Sequence, residues 1–244
     1  MKSLIRCVAM VATIGAATAA HAEFIDPASD APPFADWDRG DADSLYAEWD
    51  VFTVPIGAPG NLPDVGSFPA SGSTTAGADA NVTQVFAPFG GPGAFITSGG
   101  NIYSFATVND FDVTVPGYGY GAGYNTRFIA QVRTLGVPID PSSVGLSFDG
   151  GAQALPPTQV LKLGGEALGG PFGASTDTLF AWDLAGSPSD FQFDFTAASS
   201  SLSLDRLAID VYTQTGSFGS IPEPSAVGLM IAAAGSIASL RRRG

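Results

Sequence analysis

Cysteine and histidine are nearly absent from this 244-residue sequence, which contains one of each, Cys7 and His21. Both stand near the N-terminus, in a segment that we expect to be removed on export. The remaining chain then has no disulfide, no thiol nucleophile, no Ser-His-Asp triad and no zinc site with Cys or His ligands. An exported protein of this kind must derive its stability from a hydrophobic core.

Basic residues are scarce in the body of the chain. Between Glu23 and Ser220 there are 22 acidic residues against five basic ones, which gives this stretch a net charge of −17. Such a surface repels the phosphates of nucleic acids and the headgroups of anionic lipids. We therefore expect no nucleic-acid binding, whereas divalent cations and uncharged polymers remain as partners.

The N-terminus has the parts of an export signal. Lys2 and Arg6 supply positive charge, an apolar run follows, and Ala20-His21-Ala22 places small residues at the two positions that signal peptidase recognises. The pattern predicts a signal peptide over residues 1–22 and a mature chain that starts at Glu23. An uncleaved N-terminal anchor is the alternative.

A second apolar run lies at the C-terminus. Ser225 to Leu240 carries no charged side chain, follows Pro222-Glu223-Pro224 and precedes Arg241-Arg242-Arg243. This arrangement resembles the PEP-CTERM tail of bacterial proteins processed by exosortase, a membrane-embedded, transpeptidase-like enzyme. The resemblance implies that residues 221–244 are a sorting signal, with Pro222, Glu223 and Pro224 as its motif. It also implies a bacterium with an outer membrane and an exopolysaccharide or biofilm role.

The physical properties of this tail favour a transient tether. Its 16-residue apolar run is short for a helix that spans a bilayer, which takes ~20 residues. Pro222 and Pro224 keep the approach extended, and the terminal arginines would stay on the cytoplasmic side. We expect a precursor tethered in the inner membrane and then a protein at the cell surface or outside the cell. A permanent transmembrane helix is the alternative.

Glycine and proline are abundant, with 31 and 18 residues, and the middle of the chain alternates polar and apolar residues. Asp110 to Val115 and Phe191 to Phe195 are typical of strands with one buried face. The same pattern predicts further strands at 45–53, 82–86, 94–97, 102–106, 127–135, 144–148, 158–163, 180–184 and 201–212. We predict an all-β fold, an antiparallel two-sheet sandwich of jelly-roll type, over residues 23–220. A signal-peptide helix and a C-terminal hydrophobic helix would flank it.

Three features concern irregular backbone. Along 201–212 the apolar face changes side at Asp205-Arg206, which indicates a β-bulge in one bent strand, or two strands joined at a corner. Asp149-Gly150-Gly151 predicts a turn. Gly57 to Ala80 and Pro116 to Asn125 predict long loops.

The second of these loops is a candidate ligand-binding segment. It places Tyr118, Tyr120 and Tyr124 among glycines. Tyrosine offers a flat apolar face with a hydroxyl at its rim, which suits stacking on a sugar ring. The alternative is a hairpin loop whose tyrosines pack back onto the sandwich.

An acidic cluster before the first strand is a candidate calcium site. Asp36, Asp38, Asp41 and Asp43 offer the oxygen ligands that Ca²⁺ takes, although their spacing does not fit an EF-hand loop. Aspartates in this pattern are equally typical of turns and solvated charge. No other cofactor is expected.

Arg127, Gln131 and Arg133 share one face of a predicted strand. The two guanidinium groups would either orient a carboxylate ligand or pair with nearby acids on the sheet. Pairs of carboxylates for glycoside hydrolysis have no recognisable pattern in so acidic a chain.

The sequence thus favours an exported, non-enzymatic cell-surface or extracellular-matrix protein whose body binds carbohydrate or serves structural adhesion. Its partners would be signal peptidase and exosortase during processing, and exopolysaccharide afterwards. The alternative is a secreted sandwich-fold enzyme that acts on polysaccharide through carboxylates. A pair of facing carboxylates in a cleft would favour the enzyme, and a convex aromatic patch without them would favour the binding protein.

Overall fold

The computed structural model describes residues 24, 37–67, 80–85, 93–169 and 173–219. The predicted signal peptide (1–22) and sorting signal (221–244), with their two helices, lie outside the described residues. Within the described ranges, no helix has the length and apolar character needed to cross a bilayer.

Twelve strands form in the described ranges, together with one turn of 3-10 helix at Pro141–Ser143. In chain order the strands are β1 (Ser44–Trp49), β2 (Val65–Ser67), β3 (Asn81–Val85), β4 (Phe95–Ile96), β5 (Ile102–Tyr103), β6 (Asp110–Pro116), β7 (Asn125–Gly136), β8 (Gly145–Phe148), β9 (Gln159–Gly164), β10 (Ala174–Ala185), β11 (Asp190–Thr196) and β12 (Leu202–Gln214).

The strands build two antiparallel sheets. The larger sheet has the order β2-β1-β12-β7-β10-β9, and β5 pairs with the first part of β12 while β4 pairs with β5. The smaller sheet has the order β3-β6-β11-β8. Residues of both sheets share one buried core, which confirms the predicted all-β sandwich.

The core follows from the alternation along the strands. Phe111, Val113 and Val115 of β6 and the three phenylalanines of β11 point from the smaller sheet into the core. Phe128 and Trp182 of the larger sheet pack against them. The rings of Phe128 and Trp182 also contact each other edge to face, with centroids 5.7 Å apart. Burial of so many large apolar side chains stabilises the body without disulfides.

The predicted β-bulge is confirmed. The pairing of β12 with β7 shifts register between Leu204 and Arg206, so that Asp205 is the extra residue of one continuous strand. The turn at Asp149-Gly150 is also confirmed, with both residues at positive φ. The prediction of a long loop from Gly57 to Ala80 is wrong at residues 65–67, which form β2, and residues 68–79 of that stretch lie outside the described residues. The three residues of β2 give little alternation to read, and pairing with β1 is what forms the strand.

Candidate functional site

The tyrosine loop lies at the end of the sandwich where β1 starts. Tyr118 is buried, and its hydroxyl donates to the carbonyl oxygen of Ser44 at 2.6 Å. The ring of Tyr120 lies between those of Tyr118 and Tyr124, with centroid distances of 5.2 Å and 4.9 Å. Tyr120 is 43% exposed, and its ring is tilted against these neighbours by 31° and 44°, so the three tyrosines pack largely on one another.

The acidic cluster reaches the same end of the molecule. The Tyr120 hydroxyl donates to Asp43 Oδ1 at 3.0 Å, and partial burial together with this carboxylate raises the pKa of Tyr120. Asp41 Oδ2 accepts a hydrogen bond from the backbone amide of Asp38, and the Asp41 amide donates to the Asp38 carbonyl oxygen at 3.0 Å, so these aspartates belong to a turn. Asp36 lies outside the described residues. In the ranges that the structure describes, no three His, Cys, Asp or Glu side chains come together as a metal site.

The outer face of the larger sheet carries the arginines of β7, each paired with an aspartate of β10. Arg127 contacts Asp183 through two nitrogens, at 2.6 Å and 2.7 Å. Arg133 Nε contacts Asp177 Oδ1 at 2.6 Å. Gln131 is buried between them on that face. The prediction of pairing with nearby acids therefore describes this face, although Arg127 is far more buried than a half-exposed sheet would make it.

Two carboxylates face each other on the smaller sheet. Asp112 of β6 and Asp194 of β11 are cross-strand neighbours. Burial, then the charge and hydrogen bond of Asp194, raise the pKa of Asp112 to about 6. Gln192 Nε2 donates to Asp194 Oδ1 at 2.9 Å. Both side chains are half-buried, and neither is among the described residues that line the groove described next.

An aromatic groove lies on the outer face of the larger sheet, at the end opposite the tyrosine loop. Its floor is one row of paired residues across four strands: Phe95 pairs with Tyr103, Tyr103 with Ser203, and Ser203 with Leu135. Ser203 is the small residue of this row. It leaves a notch between the larger side chains of Tyr103 and Leu135.

Aromatic rings form one wall of the groove. The ring of Phe105 packs on Tyr103 with centroids 4.6 Å apart and on Phe95 at 5.6 Å, and Phe105 remains 65% exposed. Leu168 contributes to the lining, and the groove encloses about 640 Å³. None of the described residues that line it is charged.

The β-bulge positions this wall. Asp205, the extra residue of β12, accepts a hydrogen bond from Asn101 Nδ2 at 2.7 Å. Asn101 closes the hairpin between β4 and β5, since its amide and carbonyl both bond to Thr97. The hairpin that carries Phe95 and Tyr103 is therefore held to the sheet by a hydrogen bond to the bulge residue.

The alternation in the segment 102–106 is a sequence signal for the groove. Tyr103 and Phe105 alternate there with Ile102 and Ser104. Because Ile102 points into the core, this alternation predicts that the two aromatic side chains point to the outer face. The notch at Ser203 had no such signal, because it depends on the register of three strands.

Comparisons with protein-family models, with curated proteins and with solved structures returned no match.

Proposed function

We propose that this chain is an exported, non-enzymatic cell-surface or extracellular-matrix protein whose sandwich binds polysaccharide. The observation that carries the proposal is the aromatic groove, which combines exposed rings with described lining residues that are all uncharged. Its volume lies within the range of ligand pockets, ~300–1,000 Å³. Aromatic rings in such a site stack on the apolar faces of sugar rings.

The charge of the body supports an extracellular polymer as the ligand. With a net charge of −17 between Glu23 and Ser220, the protein repels polyanions such as nucleic acids. An uncharged polysaccharide meets no such barrier.

Affinity electrophoresis of the purified protein in gels that contain soluble polysaccharides tests the proposal. We expect at least one uncharged polysaccharide to retard the protein, with no reducing ends released on prolonged incubation. Mobility unchanged by every polysaccharide tested would count against carbohydrate binding.

A polysaccharide-acting enzyme is the second candidate, and the facing carboxylates Asp112 and Asp194 are the observation that favours it. Glycosidases hold their two carboxyl groups ~5–9.5 Å apart, so that a sugar carbon or a water fits between them. Asp112 and Asp194 are instead close enough to share a hydrogen bond. Release of reducing ends that disappears in both Asp112→Asn and Asp194→Asn would establish the enzyme.

Sorting is the other part of the proposal. Pro222, Glu223 and Pro224 would be the motif processed by exosortase, after signal peptidase has cleaved behind Ala22. Gly219, the last described residue, accepts a hydrogen bond from Arg127 of the sandwich. The motif begins three residues after this contact. The strand orders β1-β12-β7-β10 and β6-β11-β8 favour the jelly-roll type of sandwich for that body.

A further inference from the structure

We infer that the aromatic groove selects uncharged sugar rings over anionic ones, with Ser203 as a specificity-determining residue at its floor. The inference rests on the proposed function. It names the class of ligand and the contact that would distinguish one sugar from another.

The first step is the shape of the floor. Neighbouring strands lie about 4.8 Å apart, so Tyr103, Ser203 and Leu135 stand side by side across three strands. A serine in the middle position leaves a depression beside the exposed rings of Phe105 and Phe95. A ring that stacks on the aromatic wall can therefore place one edge in this depression.

The second step is the hydroxyl of Ser203. Ser203 is 7% exposed as a whole residue, but its hydroxyl oxygen is not among the buried side-chain atoms of the described residues that lack a hydrogen-bond partner. A hydroxyl at the surface of a groove can exchange a water molecule for a hydrogen bond to a ligand. Because Ser203 lines the groove, a hydroxyl of a bound sugar is placed to become its partner.

The third step is the charge around the groove. Asn101, at its rim, is bonded to the carboxylate of Asp205. The guanidinium groups nearest this bulge are engaged by acids of the protein itself: Arg133 pairs with Asp177, and Arg206 with Glu48. Asp205 does not itself line the groove, but it is bonded to Asn101, which does, so an anionic sugar would approach a carboxylate without gaining a cation. An uncharged sugar avoids this repulsion.

Two cellulose derivatives with the same backbone test the charge selection: hydroxyethyl cellulose, which is uncharged, and carboxymethyl cellulose, which is anionic. Dextran and galactomannan extend the uncharged set. We expect retardation of the wild-type protein by an uncharged polymer and at least ~10-fold weaker retardation by carboxymethyl cellulose at equal salt. Equal or stronger binding of carboxymethyl cellulose would overturn the selection by charge.

Substitutions at Ser203 test its role with the polymer that binds. Ser203→Leu fills the notch and should weaken binding at least ~10-fold, whereas Ser203→Ala, which removes only the hydroxyl, should weaken it ~3–10-fold, as expected for one hydrogen bond. Thr114→Leu, at an exposed position of the smaller sheet, is the matched control and should bind normally. Circular dichroism and the thermal midpoint confirm that each variant is folded.

The outcomes separate the two claims. If no uncharged polymer retards the wild type, the proposed function and this inference fail together. If the wild type binds and folded Ser203→Leu binds equally well, the inference about the groove is wrong while carbohydrate binding elsewhere on the body stands.

Discussion

The ring of Trp37 stacks on the ring of Tyr212, with centroids 4.6 Å apart and planes inclined by 7°. Trp37 precedes β1, and Tyr212 lies near the end of β12. Phe218 packs edge-on against both rings, at 6.5 Å and 6.2 Å. The chain before the first strand and the chain after the last strand therefore meet on the outer face of the larger sheet.

Trp37→Ala should lower the free energy of unfolding by ~3 kcal/mol, because a large side chain that is 3% exposed loses its contacts. Denaturant unfolding followed by circular dichroism measures the change. Val51→Ala, at an exposed position, is the control and should have an effect within ~0.5 kcal/mol. A loss below ~1 kcal/mol for Trp37→Ala would mean that the stacked rings hold the two chain ends only weakly.

The carboxyl pair on the smaller sheet predicts a pH dependence. The pKa of Asp112 is raised to about 6, so the folded protein holds this proton more tightly than the unfolded chain. Its contribution to stability is complete below the ordinary aspartate pKa and is lost as the pH rises through about 6. Asp112→Asn keeps a hydrogen-bond donor toward Asp194, and it should be more stable than the wild type by ~1 kcal/mol at pH 7.5, after allowance for solvent screening.

At pH 4 the same variant should show little or no gain, and unfolding curves at the two pH values make the comparison. Asp140 provides a control of opposite sign. Hydrogen bonds from the hydroxyl and amide of Ser142 lower the pKa of Asp140, so Asp140→Asn should lose stability at neutral pH and not gain it. An equal change in the free energy of unfolding for Asp112→Asn at both pH values would contradict the raised pKa of Asp112.

Gly117 ties the tyrosine loop to the sandwich, and Gly117→Ala should destabilise the protein by ~1–3 kcal/mol. A Cβ atom there would clash with the carbonyl oxygen of Pro188 and lie 2.9 Å from Cε2 of Phe191. Gly123, in the same loop, has open space around its Cβ direction, so Gly123→Ala is the matched control. Thermal unfolding of both variants measures the difference. Equal midpoints would show that the loop accommodates the added Cβ atom of Gly117→Ala without a loss of stability.

The sorting signal predicts a processing defect. Replacing Pro222, Glu223 and Pro224 with alanine should leave export intact but keep the precursor, with its terminal arginines, in the inner membrane. Fractionation and intact-mass measurement in the native host follow the tail, and the wild-type protein should begin at Glu23. Retention of Arg241 to Gly244 in all wild-type molecules would favour the permanent anchor.

Much of the fold could be predicted because alternation records which face of a strand is buried. Asp110 to Val115, Phe191 to Phe195 and the change of face at Asp205 each describe a local property of one strand. The ends of the strands are predicted less accurately. β10 begins at Ala174, six residues before the predicted start, because polar residues on both faces of its first half obscure the alternation.

The candidate site could not be predicted in the same way, because its parts come from distant segments. The notch at Ser203 requires Tyr103 and Leu135 as neighbours, and this register is a property of the assembled sheet. The tyrosine loop illustrates the reverse case. From composition alone, Tyr118 and Tyr120 are equally good candidates for ligand binding. The fold buries Tyr118 and places Tyr120 between two rings.

The tyrosine loop therefore stays a prediction that competes with the groove. A triple alanine substitution would not compare them cleanly, since Tyr118 is buried and bonded to Ser44. Tyr120→Ala removes the exposed ring of the loop, and Phe105→Ala removes the most exposed ring of the groove.

The most direct test of polysaccharide binding through the groove is therefore the dissociation constant of wild type, Phe105→Ala and Tyr120→Ala for the uncharged polysaccharide that retards the wild type most. Loss of one stacking ring typically costs ~1–3 kcal/mol, so Phe105→Ala should bind about 5- to 150-fold more weakly, with Tyr120→Ala unchanged. Normal binding by folded Phe105→Ala, together with weakened binding by Tyr120→Ala, would contradict the account and place the site on the tyrosine loop.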